Sequence, residues 1–343
     1  MTAIYESAVE SGRASQEALL SVKDLKVYFE ASRGVLAPKK YVKAVDGISF
    51  SIARGETLAL VGESGCGKTT TARAIVRLTK PTGGMISLDG REISDLSGND
   101  LKKYRQKVQY IFQDPYESLN PTQSIFDAIA TPIRIHKMAP DKNEISRRVN
   151  ELLQRVNLEP RVVKYKYPYQ LSGGQRQRVN IARALATNPE LIVADEPVSM
   201  LDVSLRSGIL ALLERIRHDH GLTLIIITHD MAVARQVSDR IAVMYLGKIV
   251  EIGQTADVID HAVHPYTRLL IESSPKLTSK RLEEKAKISS EEAAVGSALN
   301  LPSGCRFNPR CKYAIPKCRD VEPPLLERRS NQYAACDVTQ VDA

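Results

Sequence analysis

From Leu19 the chain alternates apolar and polar residues through "LLSVKDLKVYFEAS", the two-residue period of a half-buried strand. "YVKAVDGISFSIARGETLALVG" continues in the same mode and reads as further strands, broken by the turn-forming pairs Asp46-Gly47 and Arg54-Gly55. Between these stretches, "RGVLAPKK" is a Gly/Pro/Lys loop longer than a tight hairpin needs. After Gly67 the spacing in "KTTTARAIVRL" becomes helical, and "PTGGMISLDG" turns the chain back into strand. Residues 123–165 lose strand character: "EISRRVNELLQRVNL" sets Leu152, Leu153 and Val156 on one helical face, which predicts a helical insert. A helix after Gly174, a strand at 191–195, a helix near 203–219, a strand at 222–228, a helix from Met231 and a strand pair around "RIAVMYLGKIVEIG" complete the pattern. Strands alternating with helices predict a parallel α/β core, preceded by a β-rich region and interrupted by the helical insert. The ends read differently: 1–17 is a polar leader, and 276–300 is charged and poor in large apolar residues, a linker or an exposed helix.

Composition narrows the setting. No apolar run reaches the 18 residues of a membrane span; "LTLIIIT" is of strand length, and the polar start lacks the apolar centre of a secretory signal. The expectation is a cytoplasmic protein. Forty-eight Lys and Arg against 40 Asp and Glu leave a net charge of +8, compatible with phosphate, anionic lipid or nucleic acid but equally with an ordinary solvated surface. The absence of Trp and a 5% aromatic content argue against a surface for stacking single-stranded bases. Five cysteines in a thiol-reducing compartment point to metal ligation rather than disulfides. Four of them, Cys305, Cys311, Cys318 and Cys336, lie near the end with five, six and seventeen intervening residues, without the close pairs of zinc ribbons or the spacing of ferredoxin runs. Four thiolates on one soft centre would fix a tail that has little apolar material to pack.

The strongest chemical signal is "GESGCGKTT", Gly62 to Thr70, directly after the apolar "TLALV". In a strand–loop–helix setting Gly62, Ser64, Gly65 and Gly67 let backbone N–H groups curl around phosphate oxygens. Lys68 then reaches the terminal phosphates and the hydroxyl of Thr69, followed by Thr70, can bind Mg²⁺. Cys66, inside the loop, reads as packing. "LIVADEP" ends an apolar strand in two carboxylates: Asp195 suits the Mg²⁺ shell and Glu196 a hydrolytic water. "LSGGQ", Leu171 to Gln175, offers a second anion site in a Ser hydroxyl, two glycines and a helix N-terminus. Two anion sites in one chain suggest a second nucleotide, or the nucleotide of a partner chain.

These motifs, with "SMLD" and "IITHD", resemble in order and spacing the nucleotide-binding subunits of ATP-binding cassette (ABC) transporters over roughly residues 18–255. The resemblance implies a P-loop NTPase of RecA-like α/β core with an antiparallel β subdomain and a helical subdomain at about 115–180, followed by a small cysteine-containing extension at 256–343. It implies two such domains head to tail, with ATP and Mg²⁺ between the phosphate loop of one and the "LSGGQ" of the other. The roles it carries over are a water- and metal-sensing Gln113, the signature Ser172, Gly173, Gly174 and Gln175, the metal ligand Asp195, the catalytic Glu196, the γ-phosphate contact His229, and Asp202 in the loop that crosses to the partner. Viewed alone, Gln113 is a surface amide and His229 a cap or core residue. Adenine would stack on Phe29, with Tyr28 the alternative. Met200 in "SMLD" departs from the usual Ala.

"QDPYESLNP", "HPYTRLLIESSP" and the cysteine tail look like the dipeptide, oligopeptide and nickel importer branch, and "LSGGQRQRVNIARAL" like its F-type subunit. In that branch the tail can hold a four-iron, four-sulfur cluster; zinc and unmetallated thiols stay open. The implied partners are a second, different ATPase subunit, two transmembrane permease subunits and, indirectly, an extracytoplasmic solute-binding protein, with no nucleic acid, at the cytoplasmic face of the membrane. The function this implies is ATP-driven import of di- or oligopeptides. The alternatives are import of nickel or another small solute, or a non-transport cassette ATPase on nucleic acid.

Overall fold

The computed structural model describes residues 18–31, 40–274, 299 and 301–338. The expected leader at 1–17 and nearly all of the stretch 276–300 lie outside the described residues. The chain divides into two compact units, one of 1–53, 57–94 and 228–343, the other of 54–56 and 95–227.

In the first unit, β1 (Ala18–Glu30), β2 (Tyr41–Ala53), β4 (Gly83–Leu88) and β5 (Arg91–Glu92) form an antiparallel sheet in the order β2-β1-β4-β5. Strand β2 runs straight through Asp46-Gly47, where a break was expected. Leu25 pairs with Ile48 and Lys26 with Asp46, so Gly47, at φ 80°, is the extra residue of a bulge that bends the strand without ending it. The same unit contains β3 (Thr57–Val61), whose five residues are all buried, parallel to β9 (Arg240–Tyr245). Strand β9 pairs antiparallel with β10 (Lys248–Gln254), and β10 carries on its other edge the terminal hairpin of β11 (Leu326–Arg329) and β12 (Gln332–Ala334). Helix α1 (Lys68–Ile75) follows β3 through the glycine loop. Helices α9 (Met231–Val237), α10 (Thr255–Asp260), α11 (Pro265–Glu272) and α12 (Lys317–Asp320) also belong to the unit. Val61, Met231, Val243, Tyr245, Tyr266 and Phe307 share one buried cluster, so the cysteine-bearing tail contributes to the same core as the strands.

The second unit holds the parallel strands β6 (Val108–Ile111), β7 (Leu191–Asp195) and β8 (Thr223–Thr228), in the order β8-β7-β6. The apolar runs of β7 (Leu191 to Ala194) and β8 (Leu224 to Ile227) suit strands covered on both faces. The helices are α2 (Gly98–Lys107), α3 (Pro115–Ser118), α4 (Ile125–Ile135), α5 (Lys142–Arg155), α6 (Pro160–Val163), α7 (Gly173–Leu185) and α8 (Val203–His220). Helices α4, α5 and α7 pack on one another. Leu152, Leu153 and Val156 are buried, as their spacing predicted. Among the described residues no helix is long and apolar enough to cross a membrane.

Candidate nucleotide site and cysteine-bearing extension

The phosphate loop is built around positions that only glycine fills. At Gly62, φ is 154° and a Cβ would stand 2.2 Å from the Met244 carbonyl oxygen; at Gly67, φ is 109° and a Cβ would stand 2.3 Å from that of Ala44. Loop backbone therefore lies directly against β9 and β2, and a side chain at either point would push it out. Lys68 is 5% exposed, and its ammonium donates to the carbonyls of Gly62 at 2.6 Å and Glu63 at 2.8 Å. Ser64 and Gly65 are exposed, whereas Thr69 and Thr70 are half-buried in the first turn of α1. Burial pushes the Cys66 thiol up, against the pull of Lys68, so this cysteine is an inert packing group.

In the second unit the two carboxylates end a fully buried strand. Asp195 is 3% exposed and accepts a 2.6 Å hydrogen bond from the hydroxyl of Tyr110. Glu196 stands at φ 43°, a left-handed conformation that costs a non-glycine residue roughly 1–3 kcal/mol and persists where surrounding structure holds it. Its N–H donates to the Ile227 carbonyl at 3.0 Å, and its own carbonyl accepts from the Ser199 N–H at 3.2 Å and hydroxyl at 3.0 Å. The Gln113 amide donates to the Glu196 carboxylate at 3.1 Å, bringing together two residues 83 positions apart in sequence.

"LSGGQ" is first of all a helix start. The Ser172 hydroxyl accepts from the Gln175 N–H at 3.3 Å and the Gln175 side chain accepts from the Ser172 N–H at 3.0 Å, a reciprocal capping box that opens α7. Gly174 leaves room for Leu205, whose Cδ1 would stand 3.3 Å from an added Cβ. Arg176 lies over the Tyr116 ring at 3.7 Å and donates to the Pro168 carbonyl at 2.9 Å. Asp202 is exposed and its carbonyl receives the Leu205 N–H at 2.9 Å.

His229 is exposed, just after β8. Phe29 is 45% exposed on β1, while the Tyr28 hydroxyl donates to the Asp46 carboxylate.

The tail cysteines converge from separate turns. The Cys305 N–H donates to the Cys318 carbonyl at 2.8 Å, the 3₁₀ turn Asn308–Arg310 leads into Cys311, and β12 delivers Cys336 beside Ala335, whose N–H donates to the Val250 carbonyl at 2.8 Å. All four are free thiols lining one cavity with His264 and Phe307. Burial, and then the charges of Cys318, Cys336 and Cys311, push the Cys305 thiol up to about 11. Burial likewise raises Cys311 and Cys336. Among the described residues, no three or more His, Cys, Asp or Glu side chains are grouped to hold a metal ion, so the expected cysteine ligand set is gathered but not assembled for one.

Comparison with known proteins agrees with both regions. The family model "ABC transporter" matches residues 45–199, and "Oligopeptide/dipeptide transporter, C-terminal region" matches 250–318. The oligopeptide transport ATP-binding protein AppF of Bacillus subtilis is 45% identical, over 94% of this chain and 98% of its own length. The chain belongs to the ATP-binding subunits of oligopeptide and dipeptide ABC transporters. The Escherichia coli proteins OppF and DppF, an oligopeptide and a dipeptide transport ATP-binding protein, are 43% and 38% identical over 93% and 95% of this chain and 95% and 96% of their own. A dimeric post-hydrolysis structure of the cassette MJ0796 with ADP and phosphate superposes with a TM-score of 0.62 at 32% identity, covering 69% of this chain and 98% of that one.

Within this cassette, motif reading missed three residues. Tyr110 supports Asp195 from a strand where an aromatic reads as ordinary filling. Tyr266 and Arg310, in the extension, both reach Glu63 of the phosphate loop. The only trace in sequence was the aromatic in "HPYTRLL", with no sign of what it touches.

Proposed function

We propose that this chain is the ATP-hydrolysing subunit that energises import of di- or oligopeptides, working with a second ATPase subunit and two permease subunits at the cytoplasmic face of the membrane. The observation that carries the catalytic part is the Gln113–Glu196 hydrogen bond at the end of a buried strand whose preceding residue, Asp195, is buried and supported. The peptide specificity of the reading rests on the relatives and on the match of the C-terminal region.

In this reading Lys68 and the loop N–H groups hold the phosphates, Phe29 takes the adenine, and Ser172, Gly173, Gly174, Gln175 and Asp202 serve the nucleotide of the paired subunit. Thr69, Asp195 and Gln113 are the residues that would hold Mg²⁺, which when bound neutralises phosphate charge. Glu196 accepts the proton of the attacking water, Gln113 fixes that water and the carboxylate, and His229 contacts the γ-phosphate. The segment after Gln113 carries Tyr116, 61% exposed, as the route to the membrane subunits. The test is uptake in a strain lacking this gene: loss of di- or oligopeptide uptake, restored by the wild-type gene, is expected. Loss of nickel uptake alone, or ATPase activity stimulated by DNA and not by permease subunits, would replace the reading.

As the resemblance to the importer branch implies, the four tail cysteines, which line one cavity, would hold a four-iron, four-sulfur cluster as thiolates. Burial, and then the charge of neighbouring cysteines, raises Cys305, Cys311 and Cys336, so a bound positive centre is what would favour their thiolates. Anaerobically purified protein is expected to contain about four iron and four sulfide per chain, lost in Cys311→Ser. Stoichiometric zinc, or no metal, would refute the cluster and leave the ATPase reading untouched.

A further inference from the structure

Glu63, the second residue of the phosphate loop, is held at three groups, its N–H, its carboxylate and its carbonyl, the first two by the C-terminal extension. Its N–H donates to the Tyr266 hydroxyl at 2.8 Å, and its carboxylate receives both terminal nitrogens of Arg310 at 2.8 Å each. Its carbonyl accepts from Lys68 at 2.8 Å. The supports are themselves fixed. Tyr266 is fully buried, with ring centroids 4.6 Å from Tyr245 and 5.4 Å from Phe307. Its place on α11 is set by His264, whose side chain accepts the Tyr266 N–H at 3.1 Å as the helix N-cap, and by Pro265 at the first helical position. Burial lowers His264 to about 3, so this cap is neutral at working pH and keeps its acceptor nitrogen. Arg310 ends the 3₁₀ turn immediately before Cys311, and its guanidinium also lies 5.8 Å from the Tyr245 ring.

A phosphate loop works by presenting backbone N–H groups inward at fixed angles. One residue of this loop has its N–H turned to Tyr266, its carbonyl to Lys68 and its side chain clamped bidentately, the geometry in which an Arg–carboxylate pair is strongest and most directional. We propose that Tyr266 and Arg310 are positioning residues for nucleotide binding: the C-terminal extension holds the phosphate loop in its binding-competent shape, so that ATP affinity depends on the cysteine-bearing turn. The proposal rests on the ATPase reading above and adds a dependence of that site on a region outside the cassette motifs.

A loop held less firmly spends part of its time in shapes that bind no phosphate, which weakens ATP binding by the competent fraction without altering the chemical step. In the full-length protein assembled with its partner subunits, Arg310→Ala is expected to raise KM for MgATP and the dissociation constant of a fluorescent ATP analogue about 10-fold, with kcat within about twofold. Tyr266→Phe, which removes only the hydroxyl, is expected to raise both about 3- to 10-fold. Arg310→Lys should recover part of the loss, and the exchange Glu63→Arg with Arg310→Glu should bind ATP better than either single variant. Tyr266→Phe carries the test alone if Arg310→Ala lowers the melting temperature of the purified chain. Unchanged KM and affinity in a folded Tyr266→Phe and Arg310→Ala, or a fall in kcat at unchanged KM, would overturn the proposal. Lys68→Ala separates the two levels: if it abolishes ATP binding while the extension variants do nothing, only this proposal fails. If it too changes nothing, the nucleotide reading falls with it.

Discussion

Replacing Glu196 by glutamine is expected to leave ATP binding intact and to slow hydrolysis by about 10²- to 10⁴-fold, the contribution of a positioned general base. The substitution is nearly isosteric. The new amide oxygen can still accept from Gln113, which now donates to the carboxylate at 3.1 Å, and the strained backbone at φ 43° is held by main-chain bonds to Ile227 and Ser199 that the side chain does not make. What disappears is the ability to take a proton from water. Single-turnover hydrolysis in the assembled transporter, set beside equilibrium binding of the nucleotide, measures the two properties separately. Wild-type turnover in Glu196→Gln would remove Glu196 from the base role. Loss of binding together with turnover would mean that the carboxylate is structural.

How far this site could be read from sequence depends on the range over which each interaction is encoded. The phosphate loop is local: two glycines whose missing Cβ atoms admit the Met244 and Ala44 carbonyls still announce themselves as glycines beside a lysine. Strands β3, β7 and β8 are equally local, because burial on both faces writes itself as continuous apolar residues. The bulge at Gly47 reads as a turn because glycine at positive φ serves both, and only pairing with β1 tells them apart. Helix α2 went unnoticed since Tyr104 alone among its residues is buried, which leaves no apolar stripe to detect. Interactions closed over long separations leave no local mark. Arg310 finds Glu63 across 247 residues, and neither residue type at its position hints at the other. The cysteines lie between these cases: their number pointed to a shared centre, but without close pairs their spacing could not show that they meet on one cavity.

The longest of these closures carries the largest expected effect on stability. Arg306, 7% exposed and next to Cys305, donates to the Asp46 carboxylate 260 residues away and to the Leu246 carbonyl. Asp46, 9% exposed at the bulge of β2, also accepts from the Tyr28 hydroxyl, and its own N–H donates to the Gly247 carbonyl at 2.9 Å. Truncating either partner leaves a buried charge with only a 3.9 Å ion pair, Arg306 to Glu322 or Asp46 to Lys43, so Arg306→Ala or Asp46→Ala is expected to cost about 3–5 kcal/mol in urea unfolding. The double variant should cost clearly less than the two singles together, since the second removal relieves the first. Additive losses would mean that the two side chains stabilise the fold independently. The pair also sets an acid limit. Burial pushes the Asp46 carboxyl up, but the hydrogen bonds from Tyr28 and Arg306 and the arginine's charge outweigh it and hold the folded-state pKa below the ordinary value. The unfolded chain therefore takes up this proton first, near pH 3.9. The contribution is full above that pH and is lost as pH falls through the lower folded value. The stability difference between wild type and Asp46→Asn should accordingly be constant from pH 7 to about 5 and shrink below about 4. A difference that instead grew on acidification would mean that Asp46 is easier to protonate in the folded protein than in the unfolded chain, and would reverse the sign assigned to this pair.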